Sequence, residues 1–276
     1  MQIRFESSRK EVSQMNTEVL RENFLIENIF ENGKIHFVYS HYDRVMIGGA
    51  IPTDTPIRLE TYDALKADYF LERREIGIIN IGGDGKISTD GEVFELKKMS
   101  CLYVGKGTQE VLFSSSDPAS PAVFYLLSSP AHQTCPTTLF TKEDAAPLTV
   151  GSMETSNHRT IYKYIHLAGI QSCQLVMGLT VLQTGSVWNT MPSHVHDRRM
   201  EAYCYFDIPD NQKVLHLMGE PSETRHLWVS DRQAIISPPW SVHSGCGTSN
   251  YSFIWGMAGE NKDYTDMDAV AMHDLR

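Results

Sequence analysis

The residues of this chain that are best suited to chemistry lie in one short stretch, Met191–Glu201, which reads MPSHVHDRRME. His194 and His196 are two residues apart, so on a β-strand both imidazoles would leave the same face. Glu201 lies at an odd offset from His196, which would place it on the opposite face of one continuous strand. We therefore expect the chain to bend between residues 197 and 200, so that the carboxylate can join the two imidazoles.

A further histidine follows a second predicted strand. His243 comes after the apolar run Ala234–Ile236 and a Pro-Pro turn, and it is the best candidate for a fourth ligand. Three imidazoles and one carboxylate form a mixed nitrogen and oxygen set, which suits a borderline divalent metal such as zinc, manganese, iron or nickel. A single histidine is more often a surface or core residue, but the spacing, the nearby carboxylate and the β-rich context favour a metal site.

The composition sets the broad class of protein. With 276 residues and 41% hydrophobic content, the chain can bury a real core in one large or two ordinary domains. A net charge of -10 argues against nucleic acid or an anionic membrane as the partner. Five scattered cysteines without a CxxC pair predict reduced thiols and a reducing compartment, and no export signal or long apolar run is readable in the sequence.

The pattern along the chain is that of a β-protein. Short β-branched and aromatic runs, each bounded by Gly, Asp, Asn or Ser, recur over residues 34–127 and 159–255, which predicts antiparallel sandwiches or barrels. Apolar residues spaced by three and four within Thr17–Phe30 predict a short N-terminal helix. The alternation fades between residues 130 and 149, so we predict two domains, 1–149 and 150–276.

The two β-rich halves contain a faint internal repeat. Tyr69–Glu75 matches Val195–Glu201 at a shift of 126, so that Glu75 corresponds to Glu201. A second match, at a shift of 133, places Glu110 opposite His243. The alternative is two unrelated sheets. If the repeat is real, the first copy keeps only one of the four ligand positions, and the metal site belongs to the second copy.

The two-part ligand pattern resembles that of cupins, which are small antiparallel β-barrels with a metal in the mouth. Over nearly the whole chain the sequence also resembles the family of 5-keto-4-deoxyuronate isomerase, or 4-deoxy-L-threo-5-hexosulose-uronate ketol-isomerase. The runs that carry this resemblance are Tyr39–Arg44, Tyr69–Glu75, Tyr103–Gly107, Trp188–His196, Glu223–His226, Ile236–Gly245, Phe253–Met257 and Asp266–Asp268.

The resemblance implies an all-β fold of two tandem cupin-like (jelly-roll) barrels after a short helix, with the metal site in the C-terminal barrel only. It implies a cytoplasmic zinc enzyme of pectin or uronate catabolism, often a homohexamer, with one Zn²⁺ per chain on His194, His196, Glu201 and His243. The expected reaction converts 5-dehydro-4-deoxy-D-glucuronate to 3-deoxy-D-glycero-2,5-hexodiulosonate, an aldose-ketose isomerisation through a zinc-stabilised enediolate.

The remaining chemistry is less sharply indicated by the sequence. A base must move a proton between C2 and C1 of the substrate, and the candidates are Glu201, His216, Tyr205, His226 and Tyr203. A guanidinium should hold the substrate carboxylate, and the candidates are Arg198, Arg199 and Arg225.

Two other functions are compatible with the fold and the ligand set. Histidine and carboxylate ligands with open positions also suit a non-haem iron dioxygenase. A non-catalytic, sugar-binding cupin is the second alternative. The complete set of four ligands counts against it, because a protein that only binds sugar has no need of a metal site.

Overall fold

The computed structural model describes all 276 residues, and most of its regular structure is β-strand. The first strands are β1 (Gln2–Arg4), β2 (Leu25–Ile26), β3 (Ile35–Ser40), β4 (Met46–Ala50), β5 (Ile57–Arg58), β6 (Arg74–Asn80), β7 (Gly85–Thr89), β8 (Glu92–Leu96), β9 (Cys101–Val104), β10 (Val111–Ser115), β11 (Phe124–Pro130), β12 (Thr138–Phe140) and β13 (Leu148–Val150). The later strands are β14 (Arg159–Ile165), β15 (Val176–Leu182), β16 (Trp188–Asn189), β17 (His194–Val195), β18 (Arg199–Phe206), β19 (Val214–Glu220), β20 (Glu223–Val229), β21 (Ala234–Ser237), β22 (Ser244–Gly247), β23 (Ser252–Gly259) and β24 (Asp268–Ala269). Short 3-10 turns span Tyr42–Arg44, Asp63–Leu65 and Met272–Asp274.

Two short helices stand near the N-terminus, α1 (Arg9–Gln14) and α2 (Thr17–Phe24). α1 begins with a capping box, in which Ser8 and Glu11 exchange hydrogen bonds between side chain and backbone. The predicted helix is confirmed up to Phe24 but not beyond it. Leu25–Ile26 instead pairs with β21, because strand pairing in the tertiary structure outweighs the helical spacing of this segment.

The chain divides into two compact units, each assembled from several stretches of sequence. Unit 1 consists of Met1–Ile3, Asn28–Ala146 and Lys163–Met177. Unit 2 consists of Arg4–Glu27, Pro147–Tyr162 and Gly178–Arg276. The division into domains 1–149 and 150–276 stays a prediction.

The two units share one topology. In unit 1 a seven-stranded sheet has the order β1-β3-β4-β11-β6-β9-β12 and a four-stranded sheet the order β5-β10-β7-β8. The sheets that belong mainly to unit 2 have the orders β13-β14-β15-β23-β18-β21-β2 and β16-β22-β19-β20. Strand by strand, β6 and β9 therefore take the places of β18 and β21. This equivalence supports the internal repeat, whose first match pairs the segments that lead into β6 and β18.

Apolar residues of both sheets of unit 1 form its hydrophobic core. Within it, Phe37 stacks on Phe70 with their ring centroids 5.1 Å apart, and Ile76 and Ile78 of β6 are fully buried. Full burial of one such side chain stabilises a fold by roughly 1.5–3 kcal/mol. The repeated alternation of apolar residues in the sequence is thus the pattern that buries one face of each strand.

Glu75 shows what the repeat has kept in unit 1. Its carboxylate is fully buried and accepts hydrogen bonds from the backbone N–H groups of Cys173, Gln174 and Leu175, at 2.6, 2.7 and 2.9 Å. The hydroxyl of Tyr103 donates to it at 2.7 Å. Because these donors satisfy the charge, the position equivalent to Glu201 acts in unit 1 as an anchor for residues 173–175. The run Cys173–Leu182 has the sequence pattern of a strand, but the strand of the structure begins only at Val176.

No helix of this structure has the length and the apolar character needed to cross a bilayer.

Candidate metal centre

The structure brings His194, His196, Glu201 and His243 of unit 2 together, and we call these four residues the ligand group. β17 ends at Val195 and β18 begins at Arg199, so the chain breaks where the sequence predicted a bend. Glu201 lies on β18, and His243 immediately precedes β22. The break lets a carboxylate at an odd offset face the same point as the two imidazoles.

The ligating atoms of the group all lie within 4.8 Å of one another. Glu201 Oε2 is 3.0 Å from His196 Nε2 and 2.9 Å from His243 Nε2. His243 Nε2 is also 3.0 Å from His194 Nε2. His196, Glu201 and His243 are buried, and His194 is partly exposed. His194 therefore lies closer to solvent than the other three residues of the group.

Two backbone carbonyls set which nitrogen of each buried imidazole faces the group. His196 Nδ1 lies 2.9 Å from the carbonyl oxygen of Arg199, and His243 Nδ1 lies 3.0 Å from that of Ser241. A carbonyl only accepts, so each Nδ1 carries a proton and donates it. In the metal-binding form of each ring the lone pair is on Nε2, the atom that faces Glu201, which is the usual arrangement of a metal-binding histidine.

A divalent cation fits this set of donors. Two Nε2 lone pairs at 3.0 Å from each other repel unless a proton or a cation lies between them. Around an ion with Zn–N bonds of about 2.0–2.1 Å, neighbouring donor atoms are separated by a little over 3 Å, close to the distances here. Ser237 Oγ, on the strand position paired with Glu201, is buried without a hydrogen-bond partner. This orphaned oxygen is consistent with a further polar group at the centre.

The ionisation of the ligand group follows from burial and mutual charge. Burial, followed by the effect of His243, lowers the pKa of His194 to about 3. Burial alone would raise the pKa of Glu201, but His243 and His196 outweigh it and hold that pKa well below its usual range. Burial likewise opposes charge on His196, yet its hydrogen bond to Glu201 raises the pKa of His196. A metal ion would take the place of the proton between these two residues.

A second group of buried polar rings lies beside the ligands, and we call Tyr203, Tyr205, His216 and Tyr251 the ring cluster. Tyr203 and Tyr205 follow Glu201 at alternate positions of β18 and share its face. The Tyr203 hydroxyl donates to the His243 carbonyl at 3.2 Å, and Tyr205 Oη lies 2.7 Å from His216 Nδ1. The other ring nitrogen, His216 Nε2, is buried with no hydrogen-bond partner. Two of the predicted catalytic candidates, Tyr205 and His216, are thus in direct contact.

The three predicted substrate arginines have different surroundings. Arg198 is 60% exposed and pairs with Glu260. Arg225 pairs with Glu223 and also donates to the Ser13 carbonyl. Arg199 is completely buried and pairs with Asp266 at 2.7 Å. Their role as substrate-binding residues stays a prediction. Of the other shuttle candidates, His226 is exposed on β20.

The sequence interpretation missed Arg159, the first residue of β14. Its guanidinium is half-buried and interacts electrostatically with Tyr203 and Tyr251 of the ring cluster. Burial lowers the pKa of Arg159, and its Nη1 donates to the Asn157 carbonyl at 2.8 Å. None of the ion pairs of this structure involves Arg159. A lone arginine at the start of a strand gives no local signal, since only the tertiary structure brings Arg159 within electrostatic range of Tyr203 and Tyr251.

The ligand group predicts a direct outcome for His196→Ala. The purified wild-type chain should carry about one divalent ion, and the variant should lose it, because one of four ligands is removed. Elemental analysis and circular dichroism measure metal content and folding together. His273→Ala is the control, since that side chain is 86% exposed in the same unit. A His196→Ala chain that keeps a full complement of metal would contradict the assignment.

Comparison with known proteins places this site in a family. A model described as the KduI/IolB family matches residues 24–274. A relative from Shouchella clausii, named 4-deoxy-L-threo-5-hexosulose-uronate ketol-isomerase, is 56% identical over 276 residues and covers all of both chains. A relative of the same name from Formosa agariphila is 55% identical over 273 residues, covering 99% of this chain and 98% of that one.

Solved structures confirm the fold. An IolB-like protein from Salmonella typhimurium superposes with a TM-score of 0.74 at 15% identity, covering 90% of this chain and 97% of that one. The oxalate decarboxylase of Lactobacillus farciminis gives 0.62 at 10% identity, over 90% of this chain and 88% of that one. At these identities the likeness concerns the fold alone, and it confirms the all-β cupin prediction. The family match and the full-length relatives show that this chain belongs to the KduI/IolB family.

Proposed function

We propose that this protein is a ketol-isomerase that converts 5-dehydro-4-deoxy-D-glucuronate to 3-deoxy-D-glycero-2,5-hexodiulosonate. The observation that carries the proposal is the complete ligand group in a chain that is 56% identical, end to end, to a relative named for this activity. The alternatives of a non-haem iron dioxygenase and a non-catalytic cupin receive no separate support from the site. The homohexamer, the cytoplasmic location and the supply of substrate from pectin stay predictions from the resemblance.

We propose that the ligand group holds one zinc ion through the Nε2 atoms of its three histidines and the carboxylate of Glu201. A zinc ion held there would supply Lewis-acid polarisation of the carbonyl and hydroxyl oxygens of a keto sugar. The protein's part is to keep the donors in place. The carbonyls of Arg199 and Ser241 do this for His196 and His243.

His216 fits the role of a neutral hydrogen-bond donor better than that of a base. Burial, with a further contribution from His243, lowers the pKa of His216 to about 3, so the ring is uncharged near neutral pH. Burial and the charge of Glu201 raise the pKa of Tyr205 well above its usual value, so the phenol keeps its proton. With Tyr205 donating to Nδ1, the proton of His216 lies on Nε2, the atom without a protein partner. A neutral imidazole can donate that proton to a substrate oxygen as charge develops there.

Arg159 is the arginine best suited to the substrate carboxylate. Arg198, Arg199 and Arg225 already pair with carboxylates of the protein, and Arg199 has no exposed side-chain surface. Arg159 lacks such a partner and lies within electrostatic reach of Tyr203, whose hydroxyl contacts the backbone of His243. A guanidinium in this position can pair with a carboxylate at the end of the substrate remote from the reacting carbons.

The first test is turnover by the purified chain. The keto-uronate, prepared with a lyase that produces unsaturated uronates, should be isomerised by the zinc-loaded protein without uptake of oxygen. A chelator should abolish the activity and added zinc should restore it, because the reaction needs the ion but no redox change. Oxygen consumption would favour the dioxygenase, and metal binding without any turnover would favour the non-catalytic cupin.

The donor role of His216 predicts the behaviour of two variants. His216→Leu should lower kcat by about 100-fold, the usual cost of one preorganised donor, while the zinc content stays at the wild-type value. His216→Gln places an amide N–H near the former Nε2 and should recover part of this loss. Steady-state kinetics and metal analysis of both proteins measure the effect. An unchanged kcat in His216→Leu would rule out the donor role.

Binding of the carboxylate by Arg159 predicts an effect on KM. Arg159→Met removes the charge but keeps most of the length, and we expect KM to rise roughly 10- to 100-fold, the range for a lost charged hydrogen bond. Arg232→Met is the control, because that arginine is 45% exposed and pairs with Asp231 in the same unit. With the methyl ester of the substrate, wild type and Arg159→Met should have similar KM values. Equal discrimination against the ester by both proteins would contradict the assignment.

A further inference from the structure

The last residues of unit 2 contact the segments that carry His194 and His196, which we call the HxH pair. β24 (Asp268–Ala269) is the strand partner of β17, with Ala269 opposite His194 and Asp268 opposite Val195. These two strands form a sheet of their own. The Val270 N–H also donates to the Ser193 carbonyl at 2.9 Å. The strand that carries His194 is thus paired with the C-terminal segment and with no strand of the larger sheets.

The same segment reaches His196 through Arg199. Arg199 Nη2 donates to Asp266 Oδ1 at 2.7 Å, in a pair whose side chains are 0% and 10% exposed. The guanidinium also lies over the ring of Tyr264, 5.7 Å from its centroid. The carbonyl of this arginine accepts the hydrogen bond from His196 Nδ1. Asp266 therefore holds the residue whose backbone sets the orientation of a ligand.

We propose that Asp266–Val270, which we call the C-terminal strap, is a positioning element for metal binding. β24 holds His194, and Asp266, through Arg199, holds His196. Neither part of the strap contributes a ligand. The inference rests on the proposed metal site, but it does not depend on which substrate the enzyme takes.

The physical reason is the cost of ordering the ligands. A strand of two residues does not hold its own conformation, so without a partner the HxH pair must be ordered when the ion binds. That cost subtracts from the affinity for the metal. Asp266 also balances the charge of Arg199. No other carboxylate pairs with this arginine, and the Nε and Nη1 atoms of Arg199 are buried without partners. Loss of the Asp266 charge would leave a buried cation uncompensated and favour movement of the Arg199 backbone.

The test is metal affinity measured without substrate. Full-length chains are stripped of metal, and zinc binding is measured by competition with a chromophoric chelator. Asp266→Asn should weaken binding by about 10-fold or more, the range found for residues that orient ligands. Asp274→Asn is the matched control, since it makes the same charge change outside the strap, on a side chain that is 61% exposed. Asp266→Glu should recover part of the affinity.

A second pair of variants tests the strand itself. Val270→Pro removes the N–H that binds the Ser193 carbonyl, and it should also weaken zinc binding. Ala271→Pro is its control, because the φ of -71° at Ala271 suits proline. The absorption spectrum of bound Co²⁺ should change in intensity for Asp266→Asn and Val270→Pro, which a loss of global stability alone would not cause.

The outcomes separate the two proposals. Zinc affinity and Co²⁺ spectra equal to wild type in Asp266→Asn and Val270→Pro would overturn the role of the strap and leave the metal site intact. A wild-type chain that binds no metal would overturn both. Weakened binding in these two variants, with both controls at the wild-type value, would support the strap even if the chain proved to have another activity.

Discussion

The structure of unit 2 depends on one constraint, which is that three imidazoles must present unprotonated nitrogens to a single point next to a carboxylate. Imidazoles without a fixed tautomer would turn N–H groups toward one another or toward water. The Arg199 and Ser241 carbonyls prevent this for His196 and His243 by accepting from Nδ1. Both carbonyls are held by the surrounding backbone: Arg199 is the first residue of β18, and Ser241 lies in the turn between β21 and β22, where its N–H donates to the Pro238 carbonyl.

The two units show how one topology supports two uses of a buried carboxylate. Glu75 and Glu201 occupy equivalent strands and both are buried, so each needs partners for its charge. Three backbone N–H groups and a tyrosine hydroxyl satisfy Glu75, whereas Glu201 faces two imidazoles. The difference lies in the neighbours and not in the carboxylate. The same buried acid can therefore serve as a structural anchor in one copy of the fold and face a cluster of imidazoles in the other.

The ring cluster adds further buried polar groups next to the ligand group. Tyr203, Tyr205 and His216 fill positions that hydrocarbon would fill in an ordinary core, and burial keeps all three uncharged. Such groups cost free energy unless they find partners. His216 Nε2 and Ser237 Oγ lack protein partners. These two atoms are therefore the best candidates for hydrogen bonds to a bound substrate.

The sequence by itself determined the β-rich class, the N-terminal helix as far as Phe24, the ligand group and, through its resemblance, the family. These features are local: a period of two, an HxH spacing and a histidine after a Pro-Pro turn. Only the tertiary structure decided the contact of Tyr205 with His216, the electrostatic interaction of Arg159 with Tyr203 and Tyr251, the ion pair of Asp266 with Arg199, and the pairing of β24 with β17. Each of these joins residues that are distant in sequence. Strand pairing and burial bring such residues together, and neither leaves a pattern in the residues nearby.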